Sequence, residues 1–246
     1  MFRHPLVFGT RPRDALERMR SYQIVERDFN VGIASGEWTI VQDGTGSFTN
    51  AGTVGGWLSV APDNTTDNEE IYAKMPSNVA FAADKPAMLA FSMALTEANT
   101  DDANIILGLS STGAANTLVD DGGGPPSNYD GAVFFKVDGT MKWQTETSHT
   151  TTQQTSATAA DFASATTYDL SIFWDGSASV NFWVNGVLVA THTTAGALPT
   201  ANMGITVGVK NGGAHKETLT VDWLYLQAAR TALGTAGSGL GMTEEA

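Results

Sequence analysis

Cysteine is absent from the chain, so disulfides and thiolate metal sites are excluded and the redox compartment leaves no trace in the composition. Charge is scarce as well: Asp, Glu, Lys and Arg make up 16% of the residues, against about 25% in ordinary domains. The surface must therefore be covered by Thr, Ser, Asn, Gly and Ala, which suit strands and turns better than helices. No stretch approaches about 18 consecutive apolar residues, so no membrane-spanning helix is expected. The opening Met1-Phe2-Arg3-His4-Pro5 carries no apolar export signal. We expect a soluble protein made in a cytoplasm, released by lysis if it acts outside a cell. What is present is an apolar fraction of 42% over 246 residues. That is enough for one large core, and β-sandwiches of roughly 200–250 residues commonly form a single domain.

The net charge of −13 is unevenly spread. Residues 1–20 hold Arg3, Arg11, Arg13, Arg18 and Arg20 against Asp14 and Glu17, a balance of +3 that leaves −16 on the rest. An acidic body repels nucleic acid and anionic membranes. A basic leader on such a body suits docking on an acidic protein surface; the alternative is a solvated, frayed terminus. Pro12 followed by Arg13–Arg20 could start a short helix, which would need a partner to pack on.

From residue 21 onward the pattern is short apolar runs between Gly, Asn, Asp and Thr. An opening strand is expected within 21–30. Further strands are expected at Trp38–Val41, Gly56–Val60, Glu70–Met75, Ala87–Leu95, Asn104–Leu109, Ala132–Val137, Met141–Thr147, Tyr168–Trp174, Val180–Val184, Leu188–His192, Gly204–Val209 and Thr218–Leu226. Such spacing, with no convincing long helix, reads as a sandwich or barrel. Asn185-Gly186 supplies the positive φ angles of a type I′ hairpin turn, and Asp138-Gly139 and Asp175-Gly176 mark two more hairpins. Asp120–Asn128 cannot be regular structure. His149–Ala165, rich in Thr and Ala, is either a polar edge strand or a loop. The segments expected are a basic N-terminal arm over 1–20, a β-sandwich over 21–230 and a flexible C-terminal tail over 231–246.

The sequence offers little chemistry. Cleavage of β-glucans on a sandwich needs two carboxylates about 5–5.5 Å apart for a retaining reaction, and the retaining glucanases carry Glu-x-Asp-x-Glu or a close variant on one strand. No such run occurs here; Glu69-Glu70, Asp101-Asp102 and Asp120-Asp121 are adjacent pairs. We therefore expect no enzyme and no cofactor. Asp63, Asp67 and Glu69 form a weak calcium candidate, although Asn, Thr and Asp are also ordinary turn material. The four histidines are scattered, which argues against zinc. Trp57, Trp143, Trp174 and Trp183 could contact a glycan or a partner, but such rings more often fill a core. Phe173-Trp174 and Phe182-Trp183 are adjacent, so one ring of each pair must leave the core and meet something apolar.

Leu95–Leu109, Asp120–Pro126, Gly131–Gly139, Val207–Gly212 and Thr218–Trp223 together resemble a family of tailed-phage structural proteins. The resemblance implies an all-β, concanavalin-like jelly-roll β-sandwich with an extended N-terminal arm. It also implies a virion role as a capsid cement or decoration protein on the capsid surface, made in the host cytoplasm. The partner would be the major capsid protein, gripped by the arginines of residues 1–20, with a homo-oligomer, by analogy a trimer, and no nucleic acid or membrane. It supplies no catalytic residues. The alternative is a carbohydrate-binding, lectin-like module displayed on the virion for host glycan attachment.

Overall fold

The computed structural model describes residues 22–29, 33, 36–44, 46–50, 56–63, 65–77, 85–99 and 101–229. The arm, with Arg3, Arg11, Arg13, Arg18 and Arg20, and the tail lie outside the described residues, as does the short helix expected after Pro12.

Among the described residues, fifteen strands form two antiparallel sheets. One runs β13 (Val187–His192), β12 (Val180–Val184), β11 (Thr167–Trp174), β6 (Ala87–Thr96), β15 (Thr218–Ala229), β4 (Leu58–Ala61), β3 (Ser47–Asn50). The long β15 is its spine. It pairs with β6 on one side; on the other, its first half pairs with β4 and its second half with β1 (Tyr22–Arg27). The second sheet runs β10 (Thr152–Asp161), β9 (Lys142–His149), β8 (Gly131–Lys136), β7 (Ala103–Ser110), β14 (Gly204–Asn211), β5 (Glu70–Lys74), β2 (Thr39–Gln42). The Thr-rich stretch after His149 is thus an edge strand, paired on one side with β9.

Alternation sets the core. Leu89, Phe91 and Met93 on β6 and Leu170, Ile172 and Trp174 on β11 face Ile105 and Leu107 on β7 and Val207 and Val209 on β14. Phe134 and Phe182 meet edge to face between the sheets, ring centres 5.2 Å apart. Trp143 is fully buried against Phe134, Phe162 and Tyr168 at 5.6–6.2 Å. At the β12–β13 hairpin Asn185 (φ 51°) and Gly186 (φ 77°) both take the left-handed backbone that a type I′ turn demands. The β11–β12 connection is longer: the Asp175 carboxylate accepts the Ser179 hydroxyl at 2.6 Å and the backbone N–H groups of Ser177, Ala178 and Ser179. The Ser179 hydroxyl first, then the Ser177 and Ser179 N–H groups, hold its carboxyl down at about 2.

The outer faces of the two sheets differ. Every residue of β7, β8 and β14 is buried, because residues 111–130 lie across the outside of their sheet. Leu118 and Tyr129 from this cover pack on Tyr72, Ile106, Val133 and Phe135 in a second apolar cluster. Polar contacts pin the cover down. The Leu118 N–H donates to the Tyr72 hydroxyl at 3.1 Å, and the Tyr129 hydroxyl donates to Glu146 at 2.8 Å. Gln153 bridges the Pro126 carbonyl and Glu146, both at 2.9 Å. Burial pushes the Glu146 carboxyl up, opposed by hydrogen bonds from Thr155 and Tyr129.

Candidate functional site

The pocket grows from one buried lysine. On β14, Lys210 points to the outer face, in register with Glu70 on β5. Both are sealed, at 0% and 2% exposure. A cation there must be matched by anions and acceptors. Lys210 Nζ lies 3.1 Å from Glu70. It donates to the Asn116 side-chain oxygen at 3.0 Å, to the Leu118 carbonyl at 2.9 Å and to Asp120. Glu70 in turn accepts the Asn116 N–H at 2.7 Å. One lysine therefore fixes where the cover segment places Asn116 and Asp120.

The opposite wall comes from the 65–69 turn. Asn68 and Asp121 exchange two 3.1 Å hydrogen bonds, and both take left-handed backbone. Asn211, next to Lys210, exchanges backbone bonds with Asn68 and Glu69 at 3.0 and 2.9 Å, and its amide donates to the Thr66 carbonyl at 3.1 Å. Between the walls is an open pocket of about 320 Å³ lined by Asp43, Thr66, Asp67, Asn68, Glu69, Asn116 and Asp120. Every lining side chain is a hydrogen-bonding one.

Glu69 is the perturbed group. Its carboxyl is pushed up to about 7 by burial, then by its hydrogen bond with Asp63 and the charges of Asp63 and Asp43; a backbone bond from Thr66 opposes this. Two carboxyls held together share a proton. The pair closes over Gly44 (φ +67°), where a Cβ would lie 2.6 Å from Asp63 Oδ2 and 2.8 Å from Glu69 Oε1. Glycine is required there on both counts.

Of the calcium candidates, Asp63 and Glu69 come together and Asp67 lines the pocket beside them. Among the described residues, no three His, Cys, Asp or Glu side chains are arranged to hold a metal ion. Trp143 and Trp174 are core residues and cannot touch a glycan, because their strand parity turns them inward. Trp57 and Trp183 are half-buried, and Trp183 stands on the outer face of its sheet. Sequence reasoning missed Asp43, Asn116 and Lys210. Only Lys210 left a signal: a lone lysine directly after the apolar run Gly204–Val209, on the same strand, has to find carboxylates.

No protein-family model matches the chain, and no curated protein matches it. Solved structures do. A protein of unknown function from Shewanella oneidensis MR-1 superposes with a TM-score of 0.60 at 13% identity, covering 91% of this chain and 96% of that one. Lectin II from Ulex europaeus gives 0.57 at 13%, covering 84% and 98%. The Bacillus licheniformis β-glucanase gives 0.56 at 14%, covering 85% and 98%. At such identities the likeness defines the fold alone: the chain is a concanavalin-like jelly roll of the lectin and glucanase type. The expectation that the chain is not an enzyme is corrected here. This architecture carries glucanase activity elsewhere, and lacking the Glu-x-Asp-x-Glu run on one strand excludes nothing when carboxylates converge from separate loops.

Proposed function

We propose that the protein is a carbohydrate-binding domain that seats a saccharide between Asp43, the 66–69 turn and Asn116–Asp120. The lining of the pocket carries this reading: it is open, of small-molecule size, and offers carboxylates and amides, the acceptors and donors that sugar hydroxyls need. Asp120 and Asn116 are held by Lys210 and Glu70, and Asn68 by Asp121, so little ordering cost remains for binding. The occurrence of the fold in a lectin supports the same reading. The test is a glycan array probed with the full chain. Specific binding is expected, weakened about tenfold or more by Asp67→Ala or Asn116→Ala, the loss of one hydrogen bond to or from a charged or well-held group. An array without hits refutes it.

One observation favours a second reading, a glycan hydrolase at the same place. Glu69 and Asp67 both line the pocket, and the Glu69 carboxyl, raised to about 7 by burial and by Asp63, suits a general acid near neutral pH. Release of reducing ends from soluble β-glucans, abolished by Glu69→Gln, would establish it; no release would leave binding alone. A role as capsid cement on the virion surface, with the major capsid protein as partner, rests on the sequence resemblance and on the arginines of residues 1–20.

A further inference from the structure

Among the described residues, none lies across the outer face of the other sheet, and that face carries aromatic rings. Register places Leu188, Trp183, Ser171, Ala90, Tyr225 and Glu26 in one row across β13, β12, β11, β6, β15 and β1. The neighbouring row runs Asn181, Phe173, Met88, Gln227 and Ile24. Phe173 and Trp183 meet edge-on, ring centres 6.3 Å apart at 62°, and Trp223 lies beyond them in register with Ser92. Ala90 and Ser92 are only 6% and 4% exposed, so the large side chains of this face close over its small ones. Met88, Leu188 and Ile24 remain 39–51% exposed. Trp183 and Tyr225 are three strands apart, roughly 14 Å at the usual strand spacing.

Hydrogen-bonding groups interrupt the rings. The Thr191 hydroxyl donates to Asn181 at 2.7 Å, and the Tyr225 hydroxyl donates to Gln227 at 2.7 Å. Asp169 stands in register with Ser92. Among the described residues of these rows and their neighbours Asp169 and Asp222, the charge is of one sign. Burial and the charges of Asp169 and Asp28 raise the Asp222 carboxyl, Glu26 is exposed, and no lysine or arginine stands in either row. A second copy laid on this face about a two-fold axis would bring carboxylates against carboxylates. An anionic polymer would be repelled too. A neutral chain of hydroxyl-rich rings would not: its flat apolar faces stack on Trp183, Phe173 and Tyr225, and its hydroxyls donate to Asp169, Asn181 and Gln227.

We propose that the outer face of this sheet is a platform for an extended, uncharged polysaccharide, separate from the pocket. The proposal rests on the carbohydrate-binding reading but uses different residues, so the two fail separately. The full chain would be sedimented with suspensions of crystalline cellulose, chitin and curdlan, alongside Trp183→Ala, Phe173→Ala, Trp183→Phe and the pocket variant Asp67→Ala. Circular dichroism and melting would show that each is folded. The wild type is expected to adsorb to at least one of the three. Trp183→Ala and Phe173→Ala should lose about tenfold or more, as for an anchoring aromatic, with Trp183→Phe rescued and Asp67→Ala unchanged. Adsorption untouched by Trp183→Ala overturns the platform, and so does adsorption lost in Asp67→Ala. If the wild type adsorbs to none of the three yet still binds the glycan array, the platform falls and the pocket stands. Sedimentation velocity showing a dimer that Trp183→Ala dissociates would make the face an interface between copies, and overturn the proposal.

Discussion

Replacing Lys210 by methionine keeps the volume of the side chain and removes its charge. Four groups lose this cation: Glu70 (which keeps only neutral donors such as the Asn116 N–H), Asp120, the Asn116 side-chain oxygen and the Leu118 carbonyl. They do not suffer equally. The Asp120 side chain is 54% exposed and rehydrates; Glu70, at 2%, cannot. Breaking a buried pair by removing one member costs about 3–5 kcal/mol, and here most of it falls on Glu70. Urea unfolding of Lys210→Met should show a loss of that size. Lys210→Met/Glu70→Gln should recover at least about 1.5 kcal/mol of it, well beyond the roughly 0.5 kcal/mol scatter of independent sites. Because the same lysine positions Asn116 and Asp120, saccharide binding should fall together with stability. A cost below about 1 kcal/mol, or a double variant that is simply additive, would refute the reasoning that one buried cation organises the pocket wall.

Other perturbations reach different parts of the account. Glu217 is buried and its carboxyl is raised to about 7 from 4.5, first by burial and then by Glu97 and Asp102. The folded state therefore holds more protons than the unfolded one between about pH 4.5 and 7, so this group makes stability fall as pH rises through that window. Glu217→Gln, which mimics the protonated form, should show a smaller fall than the parent in urea midpoints between pH 5 and 8; identical profiles would count against the shift. Trp143→Ala should cost about 3–5 kcal/mol, as for other buried aromatic truncations, and a near-neutral result in urea unfolding would contradict its place in the core. Deleting residues 1–20 should abolish binding to assembled capsids without lowering the melting temperature, and unchanged occupancy would end the cement proposal.

Much of the fold was legible because local rules sufficed. Asn185-Gly186 named its own turn, but simple alternation along the Thr218 strand would put Trp223 and Tyr225 inward with Leu219 and Val221; a bulge after Val221 instead turns Leu224 and Leu226 inward and those two rings outward. Adjacent Phe173-Trp174 and Phe182-Trp183 required one ring of each pair to leave the core; Phe173 and Trp183 do. What could not be read was which segment lies on which face. Asp120–Asn128 is irregular, as its glycines and prolines imply, yet nothing local says that residues 111–130 fold over a sheet and bury β7, β8 and β14 on both sides. The middles of those strands are largely apolar in sequence for that reason. β3, four residues long with Ser, Thr and Asn, carries too little apolar signal to stand out. The pocket was the least visible feature. Its residues come from 43, 66–69 and 116–120, brought together by the pairing of β2 with β5, the register of β5 with β14, and the hold of Lys210 on the cover segment.

The most direct test of the central claim is a titration of the full, isotopically labelled chain with glucose, galactose, mannose and N-acetylglucosamine, followed by backbone amide shifts. The account predicts that at least one sugar moves the amides of Asp43, Asp67, Asn68, Glu69, Asn116 and Asp120 in a saturable way. Absence of any saturable shift, or shifts confined to residues remote from these, would contradict it.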